Sequence, residues 1–288
     1  MNPELKHHLE TVLGSFILRD NAVSGGDIAN AEVIETATDR FFLKTSTKPW
    51  AEELFISESR GLKQLEATQT VKVPKVQAHG GFNETGYLVL EFIESKRPDS
   101  RDFERLGQQL AELHLVPQTN EFGDSHDNFI GHLPQSNSME SSWVTFYVEQ
   151  RLLPQIDLAS KRDLLNDDAI PSKTKMREVC RSIIGEAQPS LLHGDLWGGN
   201  FLIAINGTPV LIDPSTYVGH SEVDLAMSRL FGGFGQSFYA AYHDRIKPHP
   251  RQKYLIEIYQ LYYLLVHLNL FGSSYRNSVE TIIKKYFD

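Results

Sequence analysis

The chain has 288 residues, of which 28 are Lys or Arg and 37 are Asp or Glu, so its net charge is −9. Hydrophobic residues make up 41% and charged residues 23%, a globular composition that excludes disordered and low-complexity proteins. The acidic balance disfavours general nucleic-acid binding and binding to anionic membrane surfaces. We therefore expect neither a nucleic-acid nor a membrane partner. At roughly 150 residues per domain, the length predicts two domains or one two-lobed unit.

Cysteine usage points to a compartment. Cys180 is the only cysteine, which excludes a disulfide-stapled secreted scaffold and favours a reducing cytoplasm. Residues 1–15 lack the apolar core of a signal peptide. The most apolar run, residues 261–271, is shorter than the ~20 residues that span a bilayer, so we predict a buried helix there. We expect a cytoplasmic protein.

The N-terminal third is predicted to form strands and one helix. Residues 31–36 and 40–44 have strand character, whereas residues 51–67 carry apolar side chains at helical spacing. Residues 87–93 are predicted to form a strand. The polar residues 95–100 interrupt these patterns, so we place a lobe boundary there, with residues 1–94 in the first lobe and 95–288 in the second.

The remaining sequence is predicted to be mostly helical. Helical stripes occupy residues 103–113, 176–184 and 254–271. The second stripe contains Cys180, which we interpret as a small core hydrophobe. A hairpin interrupts the helices at residues 201–212, with Asn-Gly at its turn.

The segment from His193 to Asn200 (HGDLWGGN) carries the strongest chemical signal. Asp195 and Asn200 lie on a glycine-rich loop just before the predicted hairpin, and Asp213 follows its second strand. Two carboxylates and an amide at one end of a hairpin are typical of magnesium-dependent phosphoryl transfer, in which one carboxylate orients the attacking hydroxyl and oxygen ligands hold Mg²⁺. Each acid could alternatively be a turn or cap residue, but the combination favours the site.

A candidate nucleotide-binding region precedes this segment. Gly25 and Gly26 form a turn whose backbone N–H groups can approach phosphates. Lys44 ends a predicted strand and Glu58 lies on the following helix, and in kinases a strand lysine binds the phosphates and pairs with a helix glutamate. Each element is weak evidence alone, and their order ahead of Asp195 strengthens the prediction.

Taken together, the sequence resembles the fructosamine kinase (ketosamine-3-kinase) family, within the aminoglycoside and choline kinase-like superfamily. The resemblance covers residues 13–288. His-Gly-Asp with a downstream Asp is specific only to the superfamily, whereas two segments narrow the resemblance to the family: Trp-Gly-Gly-Asn at residues 197–200 and GHSEVDLAM at residues 219–227. Further matching segments are Phe55-Ile56-Ser57-Glu58, Val73-Pro74-Lys75, Asp127 to Gly131, Leu133-Pro134-Gln135, Ile212-Asp213-Pro214 and Tyr259 to Tyr262.

The resemblance implies an α+β, protein-kinase-like bilobal fold, with a small β-rich N-lobe and a larger, mainly helical C-lobe. It implies ATP-dependent phosphorylation of a sugar hydroxyl, at the 3-position, of ketosamines such as fructosamines or ribulosamines. The acceptor would be a small adduct or a glycated lysine of a protein, so that the reaction repairs glycation. The implied cofactors are ATP and Mg²⁺.

The resemblance also implies roles for individual residues. Asp195 would be the catalytic base, and Asn200 and Asp213 the metal ligands. Lys44 and Glu58 would position the phosphates, and Glu91, Phe92 and Ile93 would form the hinge near adenine. Asp224 would support the catalytic loop through hydrogen bonds, and His193 would pack beneath it.

Trp197 follows Asp195 by two positions, where a ring could contact the acceptor's amine or pack in the core. His114 and His267 lie on apolar stripes, and we interpret them as core histidines.

Departures from other kinases limit the alternatives. His-Gly-Asp replaces His-Arg-Asp, and Asp213-Pro214-Ser215 replaces Asp-Phe-Gly, which disfavours Ser/Thr protein kinase activity. A kinase for another hydroxylated amine, such as an aminoglycoside or choline, stays open. So does a nucleotide-binding pseudokinase, although Lys44 and Asp195 are both intact.

Overall fold

The computed structural model describes residues 1–23, 29–166, 168 and 170–288. Their strands are β1 Arg19–Val23, β2 Asn30–Glu35, β3 Arg40–Ser46, β4 Val76–Phe82, β5 Thr85–Glu91, β6 Ser95–Lys96, β7 Asn128–Ile130, β8 Leu133–Gln135, β9 Pro189–Leu192, β10 Phe201–Ala204, β11 Pro209–Leu211 and β12 Tyr217–His220. Their α-helices are α1 Pro3–Leu13, α2 Ala51–Ala67, α3 Ser100–His114, α4 Trp143–Phe146, α5 Leu153–Lys161, α6 Lys173–Ile184, α7 Glu222–Leu230, α8 Gln236–Arg245, α9 Gln252–Phe271 and α10 Arg276–Phe287. A π-helical turn at Tyr147–Leu152 joins α4 to α5, and a 3-10 turn at Ser273–Tyr275 follows α9.

The N-terminal region is an antiparallel sheet with the strand order β1-β2-β3-β5-β4. The expectation of a single helix in this region was wrong, because α1 precedes the sheet and packs its buried Leu5 and Leu9 against it. Asn2 caps α1 by accepting from the Glu4 N–H, and Pro3 opens its first turn, both standard signals of a helix start. The helix was not predicted because its apolar stripe is narrow and lies among polar residues.

Helix α2 lies between β3 and β4 in the chain and packs between the sheet and the second half of the chain. Its bounds, 51–67, are those that the apolar spacing predicted. One face buries Phe55, Leu62 and Leu65, and this core continues into α3 and α8. Gly61 brings α2 close to the segment after β11, since a Cβ there would lie 3.1 Å from Thr216 Oγ1 and 3.2 Å from Pro214 Cγ. The helix is therefore fixed against the chain that carries Asp213.

The C-terminal region is mainly helical and has its own core. Helix α9 lies at its centre, and 11 of its 20 residues are buried. As predicted, Cys180 is fully buried in this core. Small sheets complete the region: β12 pairs with β9, β7 pairs with β8, and β10 lies between β11 and β6. No helix in the described residues is long and apolar enough to cross a bilayer.

Two short connections position the chemistry. Strand β9 ends directly before His193, and β10 begins directly after Asn200, so the HGDLWGGN segment is a loop between two strands. The β10–β11 hairpin returns the chain toward that loop, and the Ile212 N–H donates to the Asn200 carbonyl at 3.0 Å. As a result, Asp213 lies beside the loop.

Candidate active site

A cavity of about 660 Å³ lies between the N-terminal sheet with α2 and the helical region. Its walls include most of the predicted site residues: Lys44, Glu58, Asp195, Trp197, Asn200 and Asp213. Gly25 and Gly26 lie outside the described residues. Glu91, Phe92 and Ile93 lie at the end of β5 and just beyond it, and they are not part of the described cavity wall.

Lys44 joins the two sides of the cavity. Its Nζ donates to Glu58 Oε1 at 2.7 Å and to Asp213 Oδ1 at 2.6 Å. Burial alone would lower the pKa of Lys44, but the adjacent charges of Asp213 and Glu58 outweigh it and raise that pKa. Lys44 is therefore a fixed cation, placed where a phosphate could take over one of its carboxylate contacts.

Asp195 projects from the loop after β9 and keeps a partly exposed edge on the cavity. Burial raises its pKa to about 7, and the nearby negative charge of Asp213 acts in the same direction. Asn200 opposes this shift, because its Nδ2 donates to Asp195 Oδ2 at 3.0 Å as well as to the Asp195 carbonyl at 2.8 Å. A carboxylate with a pKa near neutral is suited to accept a proton.

The loop is held from beneath by Asp224, the third residue of α7. Its carboxylate accepts from the His193 N–H at 2.8 Å and from the Gly194 N–H at 2.9 Å. Burial alone would raise the pKa of Asp224, but hydrogen bonds from the surrounding groups, that of His114 first, lower it. His193 also bonds within the site: its Nε2 donates to the Ile212 carbonyl at 2.9 Å. The loop is thus linked to the segment after β11 that carries Asp213.

Two supporting residues were not recognised from the sequence. His114 on α3 donates through Nε2 to Asp224 at 3.1 Å and accepts the Tyr242 hydroxyl at 2.8 Å. It is a core histidine as predicted, yet it bonds the carboxylate that holds the loop. Tyr263 on α9 donates to the Gly194 carbonyl at 2.8 Å. The Tyr259 to Tyr262 segment ends one residue before it, but its partner lies 69 positions away in the sequence.

Gly194 is required by geometry. Its φ is +84°, a left-handed conformation, and a Cβ would lie 2.0 Å from the Ser215 carbonyl oxygen. Any side chain at this position would push the loop away from the segment between β11 and β12 that carries Asp213. Asp213 itself has a φ of +55°, a strained conformation for a non-glycine residue that is common at functional sites.

Trp197 is 40% exposed and lines the cavity, so it is not a core residue. Its ring covers the Cα of Gly199, where a Cβ would lie within 2.4 Å of two ring carbons. His267 on α9 also lines the cavity and is only partly buried, so the prediction of a core histidine was wrong for this residue.

The donor set can be tested for its fit to a magnesium ion. Asn200 uses its amide nitrogen on Asp195, and no described residue donates to its Oδ1. Lys44 occupies only one carboxylate oxygen of Asp213. Within the described ranges, no group of three His, Cys, Asp or Glu side chains could bind a metal alone. Two oxygen ligands fit Mg²⁺, which takes its remaining ligands from water and nucleotide phosphates.

Comparison with known proteins shows to which family this chain is similar. The family profile described as fructosamine kinase matches residues 1–288. A "Probable ketoamine kinase" of Lactiplantibacillus plantarum is 38% identical over 287 residues, which cover 97% of this chain and all of that protein. The "Ketosamine-3-kinase" of Mus musculus is 35% identical over 90% of this chain and 92% of its own length.

Solved structures agree with this placement. A protein from Thermobifida fusca, named provisionally as a fructosamine-3-kinase, superimposes with a TM-score of 0.86 at 29% identity, over 99% of this chain and 98% of its own. The aminoglycoside phosphotransferase APH(4)-Ia, at 14% identity, has a TM-score of 0.65 over 97% and 98% of the two chains, which shows a shared fold. The predicted protein-kinase-like bilobal fold is confirmed, and this chain belongs to the fructosamine kinase family.

Proposed function

We propose that this protein is an ATP-dependent kinase that phosphorylates a sugar hydroxyl of ketosamines, the rearranged adducts of sugars and amines. One observation carries the proposal: a single cavity brings the Lys44–Glu58–Asp213 ion pairs together with the Asp195–Asn200 pair. These are the groups that phosphoryl transfer to an alcohol needs. Relatives named as ketosamine and ketoamine kinases support the acceptor class.

In this proposal each residue has a separate task. Asp195 accepts the proton of the attacking hydroxyl as the γ-phosphate is transferred. Lys44 leaves Asp213 for the nucleotide phosphates and stays fixed by Glu58. Asn200 and Asp213 would hold a magnesium ion, which would neutralise charge on the phosphates. The C-terminal end of β5 and the residues just beyond it, Glu91 to Ile93, are proposed to bind adenine, and Gly25 and Gly26 are proposed to bind the phosphates.

Trp197 is proposed to recognise the acceptor. Its ring is exposed in the cavity, where the secondary ammonium of a ketosamine could lie against it for ~0.5–2 kcal/mol. The net charge of −9 favours approach of a cationic acceptor. A neutral sugar without the amine should therefore be a poorer substrate.

We also propose that the boundary between the two lobes lies between residues 94 and 95, because of the way strand β6 pairs. Strand β6 begins at Ser95 and pairs with β10, a strand of the catalytic half, at Ile203↔Lys96. Residues 1–94 are assigned to the nucleotide-binding lobe and residues 95–288 to the lobe that holds the catalytic loop.

Because Cys180 is the only cysteine, we place the protein in a reducing cytoplasm.

The test is ATP consumption with a panel of acceptors. Fructosyl-lysine, a ribulosamine, free fructose, an aminoglycoside and choline would each be supplied at equal concentration. We expect turnover with the two ketosamines and much weaker turnover with fructose. Turnover confined to the aminoglycoside or choline, or bound ATP without turnover of any acceptor, would contradict the proposal.

A further inference from the structure

Four rings in mutual contact form a surface that extends from the wall of the cavity. Phe231, His267, Phe271 and Tyr275 will be called the aromatic shelf. The ring of His267 is central: its centroid lies 4.5 Å from that of Phe231, 5.4 Å from Phe271 and 5.2 Å from Tyr275. His267 and Phe271 line the cavity itself. The shelf is therefore continuous with the candidate active site.

Two of the four shelf rings are open to solvent, unlike most aromatic side chains in the described residues. Phe231 is 41% exposed and Phe271 is 51% exposed. Both stand at helix ends, since α7 ends just before Phe231 and α9 ends at Phe271. Large rings that are clustered and exposed beside a cavity are typical of a ligand-binding surface.

The shelf lies on the acceptor side of the cavity. Phe231 is followed by Gly232 and Gly233, and a Cβ on Gly233 would lie 2.9 Å from the Cα of Gly198. That contact fixes the shelf against the loop that carries Trp197. A sugar placed between Asp195 and Trp197 would direct its amine substituent toward these rings.

The chemistry of the shelf favours a neutral substituent. His267 donates its Nδ1–H to the Tyr263 carbonyl at 2.8 Å, and burial lowers its pKa, so the ring is neutral and Nε2 is an acceptor without a partner among the described residues. Arg229 and Arg276 adjoin the shelf in sequence but make contacts elsewhere: Arg229 lies 4.0 Å over the Tyr239 ring, and Arg276 donates to the Asp163 carbonyl at 2.7 Å. The four shelf residues themselves thus offer rings and one neutral acceptor to a ligand, and no ionised group that would pair with a second cation.

We infer that the aromatic shelf binds the amine-derived part of the ketosamine acceptor and selects a neutral aromatic substituent. Such a ring would pair with Phe231 and Phe271 edge-on or offset, which adds to the apolar area that any alkyl chain would also bury. This inference rests on the proposed function, because it assumes that a ketosamine occupies the cavity.

The test compares kcat/KM for the fructosyl adducts of benzylamine, methylamine and a linear alkyl diamine. We expect the benzylamine adduct to be best and the diamine adduct, with its second cation, to gain nothing over methylamine. Phe271→Ala and Phe231→Ala should each reduce the ratio of kcat/KM for the benzylamine adduct to that for the methylamine adduct by about three- to tenfold. Phe271→Leu, which keeps an apolar side chain at the helix end, should lose the same advantage without risk to folding.

The matched control is Tyr254→Ala. Tyr254 is an exposed aromatic residue on the same helix as Phe271, but 17 positions earlier and hence about 25 Å away at 1.5 Å per residue. Its replacement should leave all three adducts unaffected. If the wild-type protein turns over the benzylamine and methylamine adducts equally, or the variants keep the preference, the shelf inference is wrong and the proposed function stands. If no adduct is phosphorylated, both are wrong.

Discussion

At the scale of single residues, Asp195 is the group on which the proposed chemistry depends most. It is the only carboxylate in the HGDLWGGN loop, and Asn200 orients it. Asp195→Asn keeps the shape of the side chain and removes the base, so we expect normal folding and a loss of ~10²–10⁴-fold in kcat. Steady-state kinetics with a ketosamine acceptor measure this.

Asp157→Asn is a suitable control for that measurement. Asp157 is an exposed carboxylate on α5, outside the cavity wall, so the variant should retain wild-type kcat. Turnover of Asp195→Asn within tenfold of wild type would refute the assignment of Asp195 as base.

Replacing Asp213 is expected to affect binding of the magnesium complex of ATP more than binding of ATP alone. Its carboxylate holds Lys44 at 2.6 Å and is proposed to bind Mg²⁺. We predict that Asp213→Ala weakens binding of Mg·ATP more than binding of ATP with chelator, because only the first uses the carboxylate as a ligand. Calorimetric titrations with and without magnesium provide the comparison. Equal losses in both titrations would mean that Asp213 is not a metal ligand.

Cys180 is expected to be chemically inert in the folded protein. Burial raises the pKa of its thiol to about 12, so the thiolate fraction at neutral pH is on the order of 10⁻⁵, and the thiolate is the reactive form. Activity should therefore survive mild peroxide and should not change with reductant. Inactivation by peroxide that a thiol reverses would show that Cys180 is accessible and regulatory.

At the scale of elements, a buried histidine on β12 contacts α9 and should make the stability of the fold sensitive to acid. His220 accepts the Tyr259 hydroxyl at 2.8 Å. Burial lowers its pKa to about 3, and the nearby charges of His249 and His114 act in the same direction. Between pH 6.5 and 3 the unfolded chain holds a proton on this residue that the folded chain does not, so the free energy of unfolding falls as the pH falls.

His220 is expected to lower the free energy of unfolding by about 1.4 kcal/mol for each unit by which the pH falls in that window. Urea unfolding of the wild type and of His220→Asn, measured at pH 7 and pH 5, isolates it. The variant should lose less stability than the wild type between the two pH values. An equal loss in both proteins would show that His220 titrates normally when folded.

Elements also show what sequence patterns could and could not reveal. The bounds of α2 were predictable because Phe55, Leu62 and Leu65 recur at helical spacing and are buried. Strand β1 could not be recognised, since all five of its residues are exposed and no alternation marks them. Helix α1 buries only Leu5 and Leu9, too narrow a stripe to stand out among polar residues.

The same contrast holds within the site. Asp195, Asn200 and Asp213 could be grouped because a short hairpin separates them and brings its two ends together. The support from His114 and Tyr263 could not be predicted, because it depends on helices α3 and α9 meeting the loop from distant parts of the chain. Residue type and spacing predict local geometry, whereas contacts between distant parts of the chain, such as those of His114 and Tyr263, arise only from packing.

For the molecule as a whole, the division of labour between its two halves explains the cavity. The sheet and α2 supply Lys44 and Glu58, while the helical half supplies Asp195, Asn200 and Asp213. One ion pair, Lys44 to Asp213, crosses the cleft. Substrates that enter between the halves would meet the proposed phosphate-binding groups on one side and the proposed base on the other.

The most direct test of the central claim is the position of phosphate in the product. The protein would be incubated with ATP, Mg²⁺ and fructosyl-lysine, and the product analysed by mass spectrometry and phosphorus NMR. We expect one phosphate per ketosamine, on the sugar hydroxyl at the 3-position, formed by the wild type and not by Asp195→Asn. Hydrolysis of ATP without a phosphorylated ketosamine, or phosphate carried on the lysine nitrogen instead of the sugar, would contradict the account.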